Sequence, residues 1–350
     1  MSKSLRKVAA RASLLALTVA MIGSHSHASP ITNMENPLFI PGAGQFAVRA
    51  SAGVMYKRTD RADALVVRGL DGANEWPIPR FNGEINFGIT DRLSAYGQFG
   101  WTQNDSIGRK GMHNGRVGLN YRVLNGAWTD GWIWDLYADA HLGGLSPMQG
   151  TFTLIPPASG SFKYDNYSNG RWGAHVGTRV GRSWNNFTVA TFAEVQQTFG
   201  NRNNRINLAI DGVPGTVGDM SVMLASTRQL NAGFQTLYQL SHDWSIGGGF
   251  TYRYWASNGV RGLANLNVDP SLPPPVAGMI AGAIDPLLTA LYDMEDGLQE
   301  YILHLIVANQ ITDRMQIAFY FDYTLDDSRS QSQNGTDRKF EFGLRANITF

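Results

Sequence analysis

The stretch that decides the fold is Lys339-Phe340-Glu341-Phe342-Gly343-Leu344-Arg345-Ala346-Asn347-Ile348-Thr349-Phe350. Successive side chains of an extended chain point to opposite faces. Here Phe340, Phe342, Leu344, Ala346, Ile348 and Phe350 therefore share one face, and Lys339, Glu341, Gly343, Arg345, Asn347 and Thr349 share the other. A strand that is wholly apolar on one side and charged on the other separates two media. In a soluble sandwich these are core and water; in a transmembrane barrel they are lipid and lumen.

The same alternation recurs eleven more times upstream, at 44–57, 80–90, 93–103, 113–124, 132–143, 170–182, 187–199, 228–240, 244–255, 298–310 and 314–325. In the first of these Phe46, Val48, Ala50, Ala52, Val54 and Tyr56 lie together, and in the last Met315, Ile317, Phe319, Phe321 and Tyr323 do. The connections alternate in length. Short turns fall at 90–92, 125–126, 183–186, 241–243 and 312–314, rich in Asp, Asn and Ser, whose side chains bond the local backbone. Long connections fall at 58–79, 104–112, 144–169, 200–227, 256–297 and 326–338. This pattern predicts an all-β fold: a transmembrane antiparallel up-and-down barrel of about twelve strands, with short periplasmic turns, long extracellular loops and both ends of the barrel chain on the periplasmic side.

Residues 1–28 stand apart. Lys3, Arg6, Lys7 and Arg11 precede an apolar run from Leu14 to Ile22, and Ser26 and Ala28 are the small residues that a signal peptidase reads. This reads as a secretory signal peptide cut after Ala28. It leaves 29–43 as a periplasmic N-terminal segment and 44–350 as the barrel. Removing it turns 29 Lys+Arg against 28 Asp+Glu into 25 against 28, a formal charge of −3. With no basic run left, nucleic acid is excluded as a partner. Charged residues make up 16% of the chain, well below the quarter usual in soluble domains. The absence of cysteine excludes a disulfide scaffold and cysteine-ligated zinc or iron–sulfur sites.

A signal peptide combined with a last strand that alternates up to an aromatic Phe350 resembles the C-terminal strand of Gram-negative outer-membrane proteins. The likeness covers the last strand by motif and the rest of the chain by pattern, and it singles out no particular family. It implies a porin-like barrel in the cell outer membrane, in contact with outer-membrane lipid and lipopolysaccharide. It also implies recognition of Phe350 by the barrel-assembly machinery.

With the apolar faces on lipid, the opposite faces place Arg49, Glu84, Arg116, Arg122, Asp135, Asp139, Arg179, Glu194, Arg253, Asp322 and Arg345 in the lumen. Two readings follow. These charges line a water-filled pore and set its selectivity, or they pair with one another and fill the interior. Few large apolar residues (Phe192, Ile302, Ile306) point inward, which disfavours a passage for long hydrophobic molecules. The expected function is a passive channel for small polar solutes through a charged lumen. The alternative is a non-conducting structural or surface-binding barrel that acts through its extracellular loops. Close pairing of Arg49, Arg116, Arg122 and Arg179 with carboxylates would favour the alternative.

Two segments outside the strands invite specific readings. In the 256–297 loop, Pro273-Pro274-Pro275 opens a stretch that turns helical, Asp285-Pro286 reads as an N-cap with a first-position proline, and Ile284, Leu287, Leu288 and Leu291 repeat at helical spacing. Its acidic Asp285, Asp293, Glu295 and Asp296 are candidates for a constriction. The same helix also fits the membrane interface or a simple loop cap. Ahead of the first strand, Asn36-Pro37-Leu38-Phe39-Ile40-Pro41-Gly42 carries two prolines that deny it a central strand position. It reads as a linker or as a short plug in the periplasmic mouth, the linker being the simpler.

Catalysis finds little support. Ser168-Asn169-Gly170-Arg171 looks like a stretch of the outer-membrane phospholipase family, but that family has a His two residues before the Ser, where this chain has Asn166. Without an imidazole nothing nearby takes the serine proton. His113, His141, His175, His242 and His304 show no metal-ligand spacing. No catalytic site, metal or cofactor is expected.

Overall fold

The computed structural model describes residues 33–59, 74–102, 111–126, 131–142, 148–153, 159–164, 172–210, 218–224, 226–256, 260–278, 298–328 and 335–350. Among them, in chain order, are β1 (Phe46–Thr59), β2 (Asn74–Gly88), β3 (Leu93–Thr102), β4 (Gly111–Leu124), β5 (Trp132–Leu142), β6 (Met148–Thr153), β7 (Ser159–Tyr164), β8 (Gly173–Trp184), β9 (Phe187–Thr198), β10 (Asn201–Ile210), β11 (Gly218–Leu224), β12 (Thr227–Gln239), β13 (Trp244–Trp255), β14 (Val260–Val268), β15 (Leu298–Thr312), β16 (Met315–Ser328) and β17 (Gly335–Thr349).

Twelve of these strands close into one barrel in the order β1-β17-β16-β15-β13-β12-β9-β8-β5-β4-β3-β2. Each neighbouring pair is antiparallel, and β1 pairs with β17 from Ala47↔Thr349 to Thr59↔Asp337, so no edge strand remains in the barrel. All twelve alternating segments of the sequence are barrel strands. The main shift is that β2 begins at Asn74 rather than at 80. That extension carries Pro77 and Pro79, and it runs beyond Arg80↔Thr102, where pairing with β3 ends. The prolines therefore remove no ladder bond on that side.

The apolar faces point outward and stay exposed, as Phe81, Ile85, Val117, Leu119, Leu136, Val176, Leu303, Phe319 and Leu344 illustrate. Water tolerates scattered apolar residues but not a continuous belt of them; lipid does. The short turns gather at one end of the barrel. Two of them have two residues, Asn185-Asn186 between Trp184↔Phe187 and Asp313-Arg314 between Thr312↔Met315; Asn185 takes φ 40°, a left-handed conformation that Asn tolerates better than most residues.

Five further strands come from the long connections at the opposite end. They form a separate sheet in the order β14-β11-β10-β7-β6. The sequence reads these connections as loops, because short segments such as β6 and the Asn-rich β10 lack a long alternating run. The helical signal at 284–291, with Asp285, Asp293, Glu295 and Asp296, lies outside the described residues, as does Ser168. Within the same connection the structure does show a helical turn over 274–278 that opens on the proline triplet.

The N-terminal segment settles inside the barrel at the end of the short turns. Leu38 is fully buried against the inward-facing Ile133 and Ala190. The space comes from a ring of small buried residues on the inner wall: Ala47, Ser94, Ala190, Ser245, Ala308 and Ala318. Of the two sequence readings, plug and linker, the structure has the plug.

Candidate functional site

Three tiers of polar side chains span the lumen above and around the plug. Nearest the plug is a rung on β4, β5 and β8. Asp135, fully buried, accepts from Arg122 Nε at 2.8 Å, from Arg122 Nη2 at 3.2 Å and from Arg179 Nη2 at 2.8 Å. Arg122 also donates to the Leu38 carbonyl, which ties the rung to the plug.

A second fastening lies across the lumen. Glu35 accepts from Arg345 Nη1 at 2.7 Å and from Asn347 Nδ2 at 2.6 Å, while Arg49 Nη2 donates to the Met34 carbonyl at 2.6 Å. Burial pushes the Glu35 carboxyl up, but Arg49 and Arg345, together with the Asn347 hydrogen bond, outweigh it and hold the group below its ordinary value. Asn33 and Asn36 complete the tether: Asn33 Nδ2 donates to Ser245 Oγ at 3.2 Å, and Asn36 Nδ2 donates to Thr188 Oγ1 at 2.8 Å.

The middle tier centres on His175. Its Nδ1 lies 2.6 Å from Asp139 Oδ2 and its Nε2 lies 3.5 Å from Glu194 Oε2. Tyr96 Oη donates to Asp139 and Tyr137 Oη donates to Glu194, each at 2.7 Å. Arg116 Nη2 reaches Gln196 Oε1 at 2.8 Å, and Glu84 accepts from Gln98 at 2.9 Å and faces Arg49 at 3.6 Å. On the other wall His304 Nδ1 lies 2.7 Å from Asp322 Oδ1 and its Nε2 lies 2.9 Å from Thr251 Oγ1. That order of acid, imidazole and hydroxyl is also a hydrolase arrangement, but Thr251 is buried and lies outside the lining of the cavity described below. The row braces the wall. The third tier faces the long connections: Arg253 Nη1 donates to Glu300 at 2.8 Å, Lys339 Nζ to Glu300 at 3.2 Å, and Arg80 Nη1 to Glu341 at 3.0 Å.

Between plug and tiers lies a cavity of about 550 Å³. Its floor is the plug, with Glu35, Phe39 and Ile40, and its walls include Arg49, Arg116, Asp139, His175, Glu194 and Asp322. Of the eleven lumen residues expected from sequence, Arg49, Glu84, Arg116, Asp139, Arg179, Glu194, Asp322 and Arg345 line this cavity. Arg122 and Asp135 sit in the rung, and Arg253 sits in the upper tier.

Sequence reasoning missed Glu35, Tyr96, Tyr137, Gln196 and Tyr320. A signal for the tyrosines exists once register is known. Tyr96, Tyr137 and Tyr320 each stand opposite a glycine on the next strand, in the pairs Tyr96↔Gly118, Tyr137↔Gly177 and Tyr320↔Gly343. Each ring lies across the bare glycine. A Cβ at Gly118 would come within 2.6 Å of Tyr96, and one at Gly177 within 2.4 Å of Tyr137. The glycines thus let large rings lie flat along the wall and aim their hydroxyls at Asp139, Glu194 and Glu341.

A closed antiparallel barrel, apolar outside, polar inside, with short turns at one end and long connections at the other, is an outer-membrane β-barrel of porin-like architecture. The chain belongs in the cell outer membrane, because only lipid matches its outer surface. No protein-family model and no curated protein matches it. Among solved structures it is similar to an outer membrane channel from Pseudomonas putida F1, at 13% identity over 91% of this chain and 99% of that chain, with a TM-score of 0.49. The toluene transporter TodX of Pseudomonas putida is 11% identical over 95% of this chain and 97% of that chain, with a TM-score of 0.48. The toluene transporter TbuX of Ralstonia pickettii is 14% identical over 95% and 96%, with a TM-score of 0.43. The class stated above rests on this chain's own strands and surface.

Proposed function

We propose that the barrel is a channel for small polar solutes whose resting form is closed at the periplasmic end by residues 33–42. The observation that carries this reading is the cavity of about 550 Å³ resting directly on the plug, with charged and amide side chains of both signs on its walls. Such a lining replaces the hydration of polar solutes and offers little to apolar ones. The plug is fastened mainly by polar contacts, each of which exchanges with water at modest net cost. Its apolar anchors are few: Leu38 is fully buried, with Met34, Pro37 and Pro41 buried beside the polar contacts, and burying a leucine contributes about 1.5–3 kcal/mol. A segment held in this way can leave without unfolding the barrel.

A second reading has its own support. Arg49, Arg122 and Arg179 each face a carboxylate within 4 Å, the pairing expected of a non-conducting barrel filled by its own ion pairs. Planar-bilayer conductance separates the two. The channel reading expects rare openings from the intact protein, and frequent, stable unitary steps once residues 33–42 are deleted. A deletion variant that folds, migrates as a heat-modifiable barrel and yet gives no steps would transfer the assignment to the non-conducting barrel.

A further inference from the structure

We propose that the outer wall of the barrel carries a phospholipid headgroup site at its periplasmic rim, where Arg182 and Trp184 hold the phosphate. In β8, Ala174, Val176 and Val180 are exposed on the lipid face, while His175 and Arg179 point into the lumen. Arg182 and Trp184 continue the lipid-facing series down to the turn at Asn185. Arg182 is therefore an arginine on the membrane side of the wall, unlike the lumen-facing Arg49, Arg122, Arg179 and Arg345.

Among the described residues this cation meets rings but no acceptor. The guanidinium carbon lies 5.8 Å from the Trp132 ring centre and 5.4 Å from that of Trp184, within cation–π range. Among the described residues no carboxylate or carbonyl accepts from it, and its Nε is buried without a partner. The residue is 7% exposed even before lipid is added. The indole Nε1–H of Trp184, beside it, also lacks an acceptor. A buried cation and a buried N–H are both costly without acceptors, so two donors side by side on one patch call for an anion from outside the chain.

Position identifies the anion. The patch lies at the level of the short periplasmic turns, among Trp132, Trp184 and the exposed Trp244 of the rim. Rim tryptophans mark the headgroup level of a bilayer, and on this side the headgroups are glycerophospholipids with a phosphodiester each. Arg182 does not snorkel away to water. It lies along the wall opposite Val189, which is buried although it shares the outward parity of the exposed Val195. The cation is held in place and the phosphate comes to it, with indole N–H and guanidinium as a pair of donors.

The test is native mass spectrometry of the intact protein extracted from outer membranes in mild detergent, followed by titration with phosphatidylglycerol. The wild-type barrel is expected to retain one phospholipid. Arg182→Gln removes the charge, and Trp184→Phe keeps a ring but removes the N–H. Each should lower the retained fraction about tenfold, as expected for one charge-assisted hydrogen bond. Trp184→Phe is the check should Arg182→Gln fail to fold. Equal lipid retention by wild type and a folded variant, or no retention by the wild type, overturns the proposal. Displacement of the lipid by inorganic phosphate alone would assign the site to a free anion and also overturn it.

Discussion

Replacing Asp135 by Asn tests the rung that joins the wall to the plug. The carboxylate is fully buried and accepts three bonds from two guanidinium groups, at 2.8, 3.2 and 2.8 Å. Asn keeps the shape but removes the charge, and it turns an amide N–H₂ toward donors. Removing one partner of a buried ion pair costs about 3–5 kcal/mol. The Arg179 side chain retains 21% exposure and recovers some hydration, so the lower end, about 3 kcal/mol, is expected. The assay is equilibrium urea unfolding of the barrel in phospholipid vesicles, where the midpoint should fall while the slope stays constant. Adding Arg122→Gln to Asp135→Asn should cost less than the sum of the two single changes, because the second change removes a charge that the first had stranded. A loss below about 1 kcal/mol for Asp135→Asn would refute the reasoning that this triplet depends on its central charge.

Other outcomes follow from the same structure. Because the folded-state value of Glu35 lies below its ordinary 4.5, the tether is fully present above that pH and is lost as pH falls through the folded value. Conductance should therefore rise as acidification carries the pH below 4.5 and on through the depressed folded-state value, and Glu35→Gln should raise it at neutral pH and flatten the response. Gly177→Val should expel the Tyr137 ring, which already leaves less than van der Waals room for a Cβ at 2.4 Å. A loss of about 1–3 kcal/mol, typical of overpacking, should appear as a lowered urea midpoint. Leu119→Arg, exposed on the lipid face near the middle of β4, should cost about 2–4 kcal/mol in the bilayer. The same change should matter far less in a detergent that wets the charge, and equal costs in both media would contradict the lipid-facing assignment.

The barrel was legible because its cause is repetitive. Phe340 to Phe350 on one face and Lys339 to Asn347 on the other is a pattern that only a strand between two media maintains, and it recurs in every wall strand. The inward charges followed by parity alone. Their partners did not, because Asp135 meets Arg179, and Asp139 meets His175, only once the register of β5 against β8 is set. The plug was hard to read for a different reason. Leu38 announces nothing by itself. Its receptor is a scatter of alanines and serines, from Ala47 to Ala318, each unremarkable alone and meaningful only as a ring. The tyrosine–glycine pairs are likewise invisible in one dimension, since Tyr96 and Gly118 face each other across a hairpin. The loop strands escaped because a sheet built across different connections leaves no contiguous signal in any one of them.

That second sheet has a mechanical meaning. Its strands belong to three separate connections, and β7 pairs with β10 while β11 pairs with β14, so each connection is stitched to the next by backbone ladders. One connection cannot swing aside alone without tearing a ladder. These three connections thus form a single coupled plate at the far mouth of the barrel rather than three free flaps. A sequence change that stiffens or loosens any one connection should be felt in the hydrogen-exchange rates of the other two.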